Sequence, residues 1–236
     1  MELLGLALLA VGLADAVRWQ PDAGRRRTAA ALAAAVAVVA GVLALAGLEP
    51  VEGAVCGLAV VALVALWLVT SARALRTGRG APLPLAVLAS GGLGLLAASG
   101  PVPSFGGPLV RWYDGLDVPA LAGQGFGRFA VALAVLQVTG NVVVRLVLLG
   151  AGSTPPAVEG TLRGGRVLGP LERTFLFALT LGGELTAAAV VVAAKGLLRF
   201  PEIQRSRAGG VDALTEYFLI GSLASWLLAL LLVPLV

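Results

Sequence analysis

Long apolar runs constrain this sequence more than any other feature. The hydrocarbon core of a membrane is about 30 Å thick, and a helix needs about 20 apolar residues to cross it. Hydrophobic residues make up 58% of the 236 positions and charged residues only 13%, which excludes an ordinary soluble domain. We therefore predict an all-α fold, a polytopic transmembrane helix bundle of about seven spans. The predicted spans are residues 3–17, 28–48, 53–70, 82–99, 128–149, 170–200 and 214–236.

The segments between these spans are too short to form a soluble domain with a core of its own. We predict a single integral membrane domain over residues 1–236, with a four-helix part at 1–100, an interfacial loop at 101–127 and a three-helix part at 128–236. Prolines and glycines exclude a continuous helix from the loop, and aromatic residues such as Trp112 suit the headgroup region. A short re-entrant lid is the alternative for this segment.

Arginine residues lie beside the spans and predict the orientation of the first ones. Arg25–Arg27 and the arginines of residues 73–79 flank a helical hairpin whose tip carries Glu49 and Glu52. The positive-inside rule places both arginine loops in the cytoplasm and the N-terminus outside. Trp67, near the end of the third span, is expected at the interface. The sixth span has basic residues on both sides, so charge does not orient the last three spans.

The net charge of +4 is spread along the chain instead of forming one patch. This distribution favours the lipid bilayer, with its anionic headgroups, as the partner and argues against nucleic acid. The chain has no histidine, and its one cysteine, Cys56, lies in an apolar run. We find no nucleophile–base pair, metal-ligand cluster or cofactor fingerprint. We therefore predict no catalytic residue, no metal and no cofactor, and favour a protein that is not an enzyme.

The sixth predicted span is unusual because it carries charges inside an apolar run. Arg173, Glu184 and Lys195 recur eleven residues apart, which places them on one stripe of a continuous helix. Arg173 and Lys195 would lie near opposite interfaces, where long side chains extend to water. Glu184 would lie at mid-span, where a carboxylate costs about 2.5–3.5 kcal/mol and needs a partner.

A second polar stripe lies in the fifth predicted span, where Gln137, Asn141 and Arg145 recur every four residues. We predict that this stripe, or Ser222 and Ser225 of the last span, is the partner of Glu184. The predicted intramembrane polar site comprises Glu184, Asn141, Arg145, Gln137 and Lys195.

Small residues in the last predicted span indicate close helix packing. Gly221 and Ser225 form a small-x-x-x-small face, with Ser222 beside it, and such faces let helix backbones approach closely. We predict packing of the last span against the sixth one. Homodimerisation through the same face is the alternative.

Three motifs in the last third of the chain resemble a known family. The motifs are Gly165-Arg166-Val167-Leu168-Gly169-Pro170-Leu171-Glu172-Arg173, then Ala193-Ala194-Lys195 with Arg199-Phe200, then Glu216-Tyr217-Phe218-Leu219-Ile220-Gly221-Ser222. In this order they resemble an uncharacterised domain-of-unknown-function family of bacterial multi-spanning membrane proteins. The resemblance covers roughly residues 165–230 and implies a location in the bacterial cytoplasmic membrane. The family has no assigned reaction, so the resemblance implies a fold and no chemistry.

The N-terminal part departs from that family. Members usually begin with a histidine-containing helix that runs into an aspartate and a glutamine. Leu13-Ala14-Asp15 and Gln20 correspond to that stretch, but the histidine is absent.

Two classes of function follow from the polar residues. The first is transport of a small solute or an ion, coupled to protons or ions through the mid-membrane carboxylate of Glu184. The second is a non-catalytic membrane scaffold or accessory subunit, in which the same residues only fix helix packing. A second copy of the chain or another membrane subunit is the candidate protein partner in either case.

Overall fold

The fold is known from a computed structural model. It describes residues 2–18, 24–98, 107–108, 111–112, 125–153, 165–206 and 213–235. Every regular element in these ranges is helical, so the predicted all-α class is confirmed for the described part of the chain. The helices are α1 Glu2–Arg18, α2 Arg25–Ala46, α3 Pro50–Thr77, α4 Pro82–Ala98, α5 Gly125–Gln137, α6 Thr139–Gly150, α7 Gly165–Leu181, α8 Leu185–Ser206 and α9 Ala213–Leu232, with a 3-10 turn at Val233–Leu235.

Several of these helices are long and apolar enough to cross a membrane. They are α2, α3 and the last helix over Glu216–Leu235, with α5 and α6 as a fourth if the bent pair counts as one span. These helices indicate a membrane protein. The prediction of about seven spans is not confirmed, because Pro82–Ala98 and Leu185–Leu197 are shorter apolar helices.

Helix α1 lies at the centre of the bundle. It contacts α2, α3, α4, α5 and α6, and Ala10 and Ala14 on it are fully buried. Small side chains let neighbouring backbones approach on several sides. Around α1 lies a first core formed by α1 to α4, with Val142 and Leu146 contributed by α6.

A second core forms where α5, α7, α8 and α9 meet. Phe177, Leu136 and Ala229 are fully buried in it. Because α6 contributes to the first core and contacts α9 at the edge of the second, the four-helix and the C-terminal parts of the chain pack against each other through the α5–α6 segment.

The fifth predicted span is not one continuous helix. Val138, with φ −110° and ψ −65°, separates α5 from α6, and the axes of the two helices differ by 43°. The prediction of one helix over 128–149 is therefore wrong. The four-residue spacing of Gln137, Asn141 and Arg145 continues through the break, so sequence periodicity gave no sign of it.

The sixth predicted span is a helical hairpin, and the prediction of one helix over 170–200 is also wrong. Helix α7 ends at Leu181 and α8 begins at Leu185. Gly183 between them has φ 80°, in the left-handed region that glycine adopts without steric cost. An ion pair between Glu172 and Lys195 joins the two helices, which shows that they run antiparallel.

The segment between α4 and α5 lies mostly outside the described residues. The prediction of an interfacial loop at 101–127 therefore stays open, as does its re-entrant alternative. Of this segment, the Gly107 amide donates to the Ala46 carbonyl at 3.0 Å, which places Gly107 at the C-terminal end of α2.

Candidate functional site

Arg173 is the centre of the polar cluster that the structure forms in the second core. Its side chain lies on α7 and is only 1% exposed. Nε donates to the Leu136 carbonyl at 2.9 Å, Nη1 to the Ser225 hydroxyl at 3.2 Å and Nη2 to the Asn141 amide oxygen at 2.5 Å. One guanidinium thus joins α7 to α5, α6 and α9.

One acceptor of Arg173, the Leu136 carbonyl, is available because the helix is broken at Val138. In a continuous helix the Leu136 carbonyl would accept the Gly140 amide, whereas here it accepts Arg173. Gly140 lets the guanidinium lie against the backbone, since a Cβ at this position would be 3.1 Å from Arg173 Nε. The break and the arginine are therefore one structural unit.

Neighbouring polar side chains hold the acceptors in place. The Asn141 amide nitrogen donates to the Gln137 carbonyl at 3.0 Å. The Gln137 amide nitrogen donates to the Thr174 hydroxyl, which itself donates to the Pro170 carbonyl at 3.0 Å. The first of these bonds orients the side chain of Asn141, the closest partner of the arginine, and the other two join Gln137 of α5 to α7.

The positive charge of Arg173 has no carboxylate partner within 4 Å in the described part of the chain. Its neighbour Glu172 is the acid that interacts with it electrostatically, but the Glu172 carboxylate is paired with Lys195 on α8. The Lys195 ammonium also lies 5.4 Å from the ring centroid of Trp226 on α9. The acceptors that contact Arg173 are all neutral.

The structure places Glu184 away from this cluster. It lies in the turn between α7 and α8 and is exposed, so the prediction of a buried mid-helix carboxylate is wrong. Its side chain makes no hydrogen bond or ion pair with the described residues. Asn141 and Ser225, which were predicted to contact Glu184, contact Arg173 instead. Arg173 itself was predicted to lie near an interface.

The remaining predicted residues divide between the cluster and its surroundings. Gln137 and Asn141 belong to the cluster, although Asn141 is exposed on α6, as Arg145 is. Lys195 pairs with Glu172 and not with Glu184. Gly221 faces Leu148 of α6, since a Cβ at this glycine would lie 3.6 Å from Leu148 Cδ1, and half-buried Ser222 lies beside it.

The last helix therefore packs against two neighbours. Gly221 faces α6, and Ser225 faces α7 through Arg173. The predicted packing against the sixth span is found for Ser225, but the glycine of the same face contacts a different helix.

A second buried network lies in the first core and was missed at the sequence level. Asp15 Oδ1 forms an ion pair with Arg18 Nη2 at 2.5 Å, and Asp15 Oδ2 accepts the Trp67 indole N–H at 3.1 Å. Arg18 Nη1 donates to the Ser71 hydroxyl at 3.0 Å and the Leu68 carbonyl at 3.3 Å. The side chains of Asp15, Arg18, Trp67 and Ser71 are all buried. Trp67 is fully buried among the helices, and its predicted depth at the membrane interface stays a prediction.

Thr139, the first residue of α6, is also buried. It is 2% exposed, and its hydroxyl has no hydrogen-bond partner in the described part of the chain. The Arg18 Nε atom is likewise buried without a hydrogen-bond partner. Asp15 and Arg18 are three residues apart, so they share a helix face, and this spacing was the available sequence signal.

Both networks consist of charged side chains and their hydrogen-bond partners. Among the described residues, no three metal-binding side chains come together. The fold and the site define an α-helical membrane protein whose broken helix lies between two buried arginines, one paired with a carboxylate and one held by neutral groups.

No family model, curated protein or solved structure matches this chain. The resemblance of residues 165–230 to an uncharacterised membrane family stays a prediction. Two of the motifs that carry it are in contact, because Glu172 of the first pairs with Lys195 of the second.

Proposed function

We propose that this protein moves a small anionic solute across a membrane and that Arg173 is the binding group. The observation that carries the proposal is a guanidinium that is 1% exposed, lies at a broken helix and has only neutral acceptors in contact. The solute class is a small carboxylate or phosphate, since both accept paired hydrogen bonds from a guanidinium. Transport thus remains the proposed function, with Arg173 in place of Glu184.

The energetic argument concerns the missing counter-charge. Removing an ion from water costs several kcal/mol even in a real protein interior, and a partner normally offsets part of that cost. A guanidinium carries five N–H donors, and described residues accept three bonds from Arg173. The remaining donors, and the absence of a contacting carboxylate among the described residues, favour an anion as the missing partner.

The position of Arg173 supports the same proposal. An ionisable residue inside a membrane is by default a candidate for a substrate or ion pathway. Binding sites of membrane transporters commonly lie where a helix is interrupted, because free backbone groups and helix ends are available there. The break at Val138 supplies such a place in the middle of the α5–α6 segment.

A membrane scaffold is the second candidate, and one observation favours it. Arg173 joins α7 to Leu136, Asn141 and Ser225 on three other helices, which a purely structural role would also require. The two functions differ in whether a ligand completes the cluster. A second copy of the chain or another membrane subunit is the proposed protein partner of a scaffold.

We also propose a bacterial cytoplasmic membrane and an external N-terminus. The α7–α8 hairpin supports this orientation, because an antiparallel pair brings Arg166 and Arg205 to one end and Glu184 to the other. The α2–α3 hairpin has the same arrangement, with arginines at its open end and Glu49 and Glu52 at its tip. The positive-inside rule then places both open ends in the cytoplasm.

Ligand binding and uptake test the proposed function. The thermal midpoint of the purified protein is measured in acetate, succinate and phosphate, against chloride at equal ionic strength. We expect at least one of the three anions to raise the midpoint, because a ligand of the folded state stabilises it by mass action. The same labelled anion should enter proteoliposomes that contain the protein.

Two arginine variants separate binding from general charge effects. Arg173→Met should abolish both the rise in midpoint and the uptake, whereas Arg145→Met, at an exposed arginine of α6, should preserve both. Absence of any anion effect on the native protein, or its persistence in Arg173→Met, would overturn the proposal. The scaffold would then be the better account.

A further inference from the structure

The three acceptors of Arg173 differ in how freely each can move. The Leu136 carbonyl belongs to the backbone at the end of α5, where Leu136 is fully buried. Ser225 on α9 is buried as well, at 6% exposure. Asn141, in contrast, is exposed on α6, although its amide oxygen is the acceptor closest to the guanidinium. The Asn141 side chain is therefore the acceptor that can turn away from Arg173 into open space.

The surface beside Asn141 is polar. Arg145 lies one turn further along the same face of α6 and is exposed as well. Charged side chains within a membrane almost always face other protein groups or water instead of lipid, so this face is suited to a polar solute. Because the acceptors on α5 and α9 are buried, the Asn141 side is the route by which such a solute reaches the Arg173 guanidinium.

The donors of Arg173 suit an anion at the position of the Asn141 oxygen. Each terminal nitrogen of a guanidinium carries two N–H groups, and Nη1 donates one to Ser225 while Nη2 donates one to Asn141. When Asn141 turns away, Nη2 regains both of its N–H groups, and Nη1 keeps one that no described residue accepts. A carboxylate accepts paired bonds from a guanidinium and adds a charge attraction that a neutral amide does not supply.

The side chain of Asn141 also has the shape of a carboxylate. A carboxamide and a carboxylate are both planar groups with two terminal atoms, and both of these atoms are acceptors in the carboxylate. The Asn141 oxygen faces Arg173, and the Asn141 nitrogen donates to the Gln137 carbonyl at 3.0 Å. A ligand carboxylate in this place directs both oxygens to the guanidinium, because the Gln137 carbonyl repels an oxygen. This shape favours a carboxylate over a tetrahedral phosphate.

We infer that Asn141 is the gate of the Arg173 site: its amide oxygen occupies the place of a ligand carboxylate oxygen and turns away when the ligand binds. The inference rests on the proposed function and adds two properties to that site, a carboxylate as the ligand and entry from the α6 side. Displacing Asn141 costs free energy, so the closed gate lowers the apparent affinity for the ligand.

Substitutions at Asn141 test the gate in opposite directions. Asn141→Ala and Asn141→Ser remove the competing amide and leave Arg173 intact, whereas Asn141→Asp supplies a carboxylate that cannot diffuse away. For each protein we measure the concentration of acetate, succinate or phosphate that gives half of the maximal rise in thermal midpoint, with chloride at equal ionic strength as the reference. Arg145→Met is the matched control, because it removes a polar side chain one turn away on the same face.

We expect Asn141→Ala and Asn141→Ser to reach half of the effect of acetate or succinate at a concentration about tenfold lower than the native protein, since no hydrogen bond to the charged guanidinium has to be displaced. Arg145→Met should match the native protein. Asn141→Asp should respond to none of the anions and should have a higher midpoint in chloride than Asn141→Ala. In the Arg173→Met background, this difference between the two variants should vanish.

The opposite results would overturn the gate. A residue that only holds the site together weakens binding when it is removed, so an unchanged or higher half-effect concentration in Asn141→Ala and Asn141→Ser contradicts the inference. An anion response that persists in Asn141→Asp, or a response of the other variants to phosphate alone, also contradicts it.

Failure of the gate and failure of the proposed function give different results. An anion effect on the native protein that does not strengthen in Asn141→Ala would reject only the gate. An effect that appears only in Asn141→Ala, and that Arg173→Met abolishes, would support the gate and reject anion binding by the native protein. If neither the native protein nor any Asn141 variant responds, both proposals are wrong.

Discussion

The two buried arginines of this protein solve the problem of a desolvated charge in different ways. Arg18 lies next to a carboxylate on its own helix, with Trp67 as a further donor to the same acid. Arg173 faces a backbone carbonyl, an amide and a hydroxyl on three other helices. The first network is closed in charge, and the second has a net positive charge among its contacting groups.

This difference separates a structural role from a proposed functional one. A buried ion pair is self-contained, so a ligand adds nothing to it. A buried cation with neutral partners still gains from an anion, because the interaction would offset part of its desolvation cost. The broken helix belongs to the second site, because its Leu136 carbonyl accepts the Arg173 Nε.

The largest expected effect is the loss of Arg18. Arg18→Met leaves the buried Asp15 carboxylate without its cation, and breaking a buried pair in this way costs about 3–5 kcal/mol. Equilibrium unfolding in detergent measures the change. The double variant Asp15→Asn with Arg18→Met removes both charges and should recover most of the loss. A double variant as unstable as the single one would show that hydrogen bonding, and not charge pairing, holds this network.

A smaller loss of stability is expected for Arg173. Arg173→Met removes three hydrogen bonds but leaves no unpaired charge, so we expect a loss of about 1–3 kcal/mol from the orphaned acceptors. The same unfolding measurement applies, with Arg145→Met as the exposed control at less than about 0.5 kcal/mol. If Arg173→Met costs more than Arg18→Met, Arg173 has a counter-charge in the protein and the contrast between the two sites fails.

The smallest effect is expected at Glu184. This residue is exposed at the tip of the α7–α8 hairpin, so Glu184→Gln should change the unfolding free energy by less than about 0.5 kcal/mol. Anion uptake into proteoliposomes should be unchanged as well, because the site is placed at Arg173. Loss of uptake with normal stability would restore the carboxylate role that the sequence suggested for Glu184.

The two helical hairpins show how far charge and apolar pattern predict the fold. The α2–α3 hairpin was predicted because Glu49 and Pro50 interrupt the apolar run at its tip. In the α7–α8 hairpin only Gly182 and Gly183 mark the turn, and an apolar sequence containing two glycines is compatible with a continuous helix. The basic residues on both sides of this segment, which left its orientation open, belong to one end of a hairpin.

For the polar cluster, the sequence pattern predicted the polar residues but not the charge that they surround. Gln137, Asn141 and Ser225 were expected to surround a charge, because polar groups in apolar helices need partners, and they lie around Arg173. The sequence did not identify that charge. Arg173 and Glu184 lie on one stripe of an ideal helix, and only the turn at Gly183 places Glu184 outside the bundle.

By itself the sequence determined the class of protein and identified the polar and charged residues whose burial costs free energy. An apolar composition admits only structures in which the backbone is hydrogen-bonded internally, and helices meet that requirement within one segment. The tertiary structure decided where the helices break and which charge meets which partner. Periodicity describes one helix at a time, whereas the partner of a buried charge depends on helices that lie far apart in the chain. The pairing of Asp15 with Trp67 and of Arg173 with Ser225 therefore emerged only from the packing of the bundle.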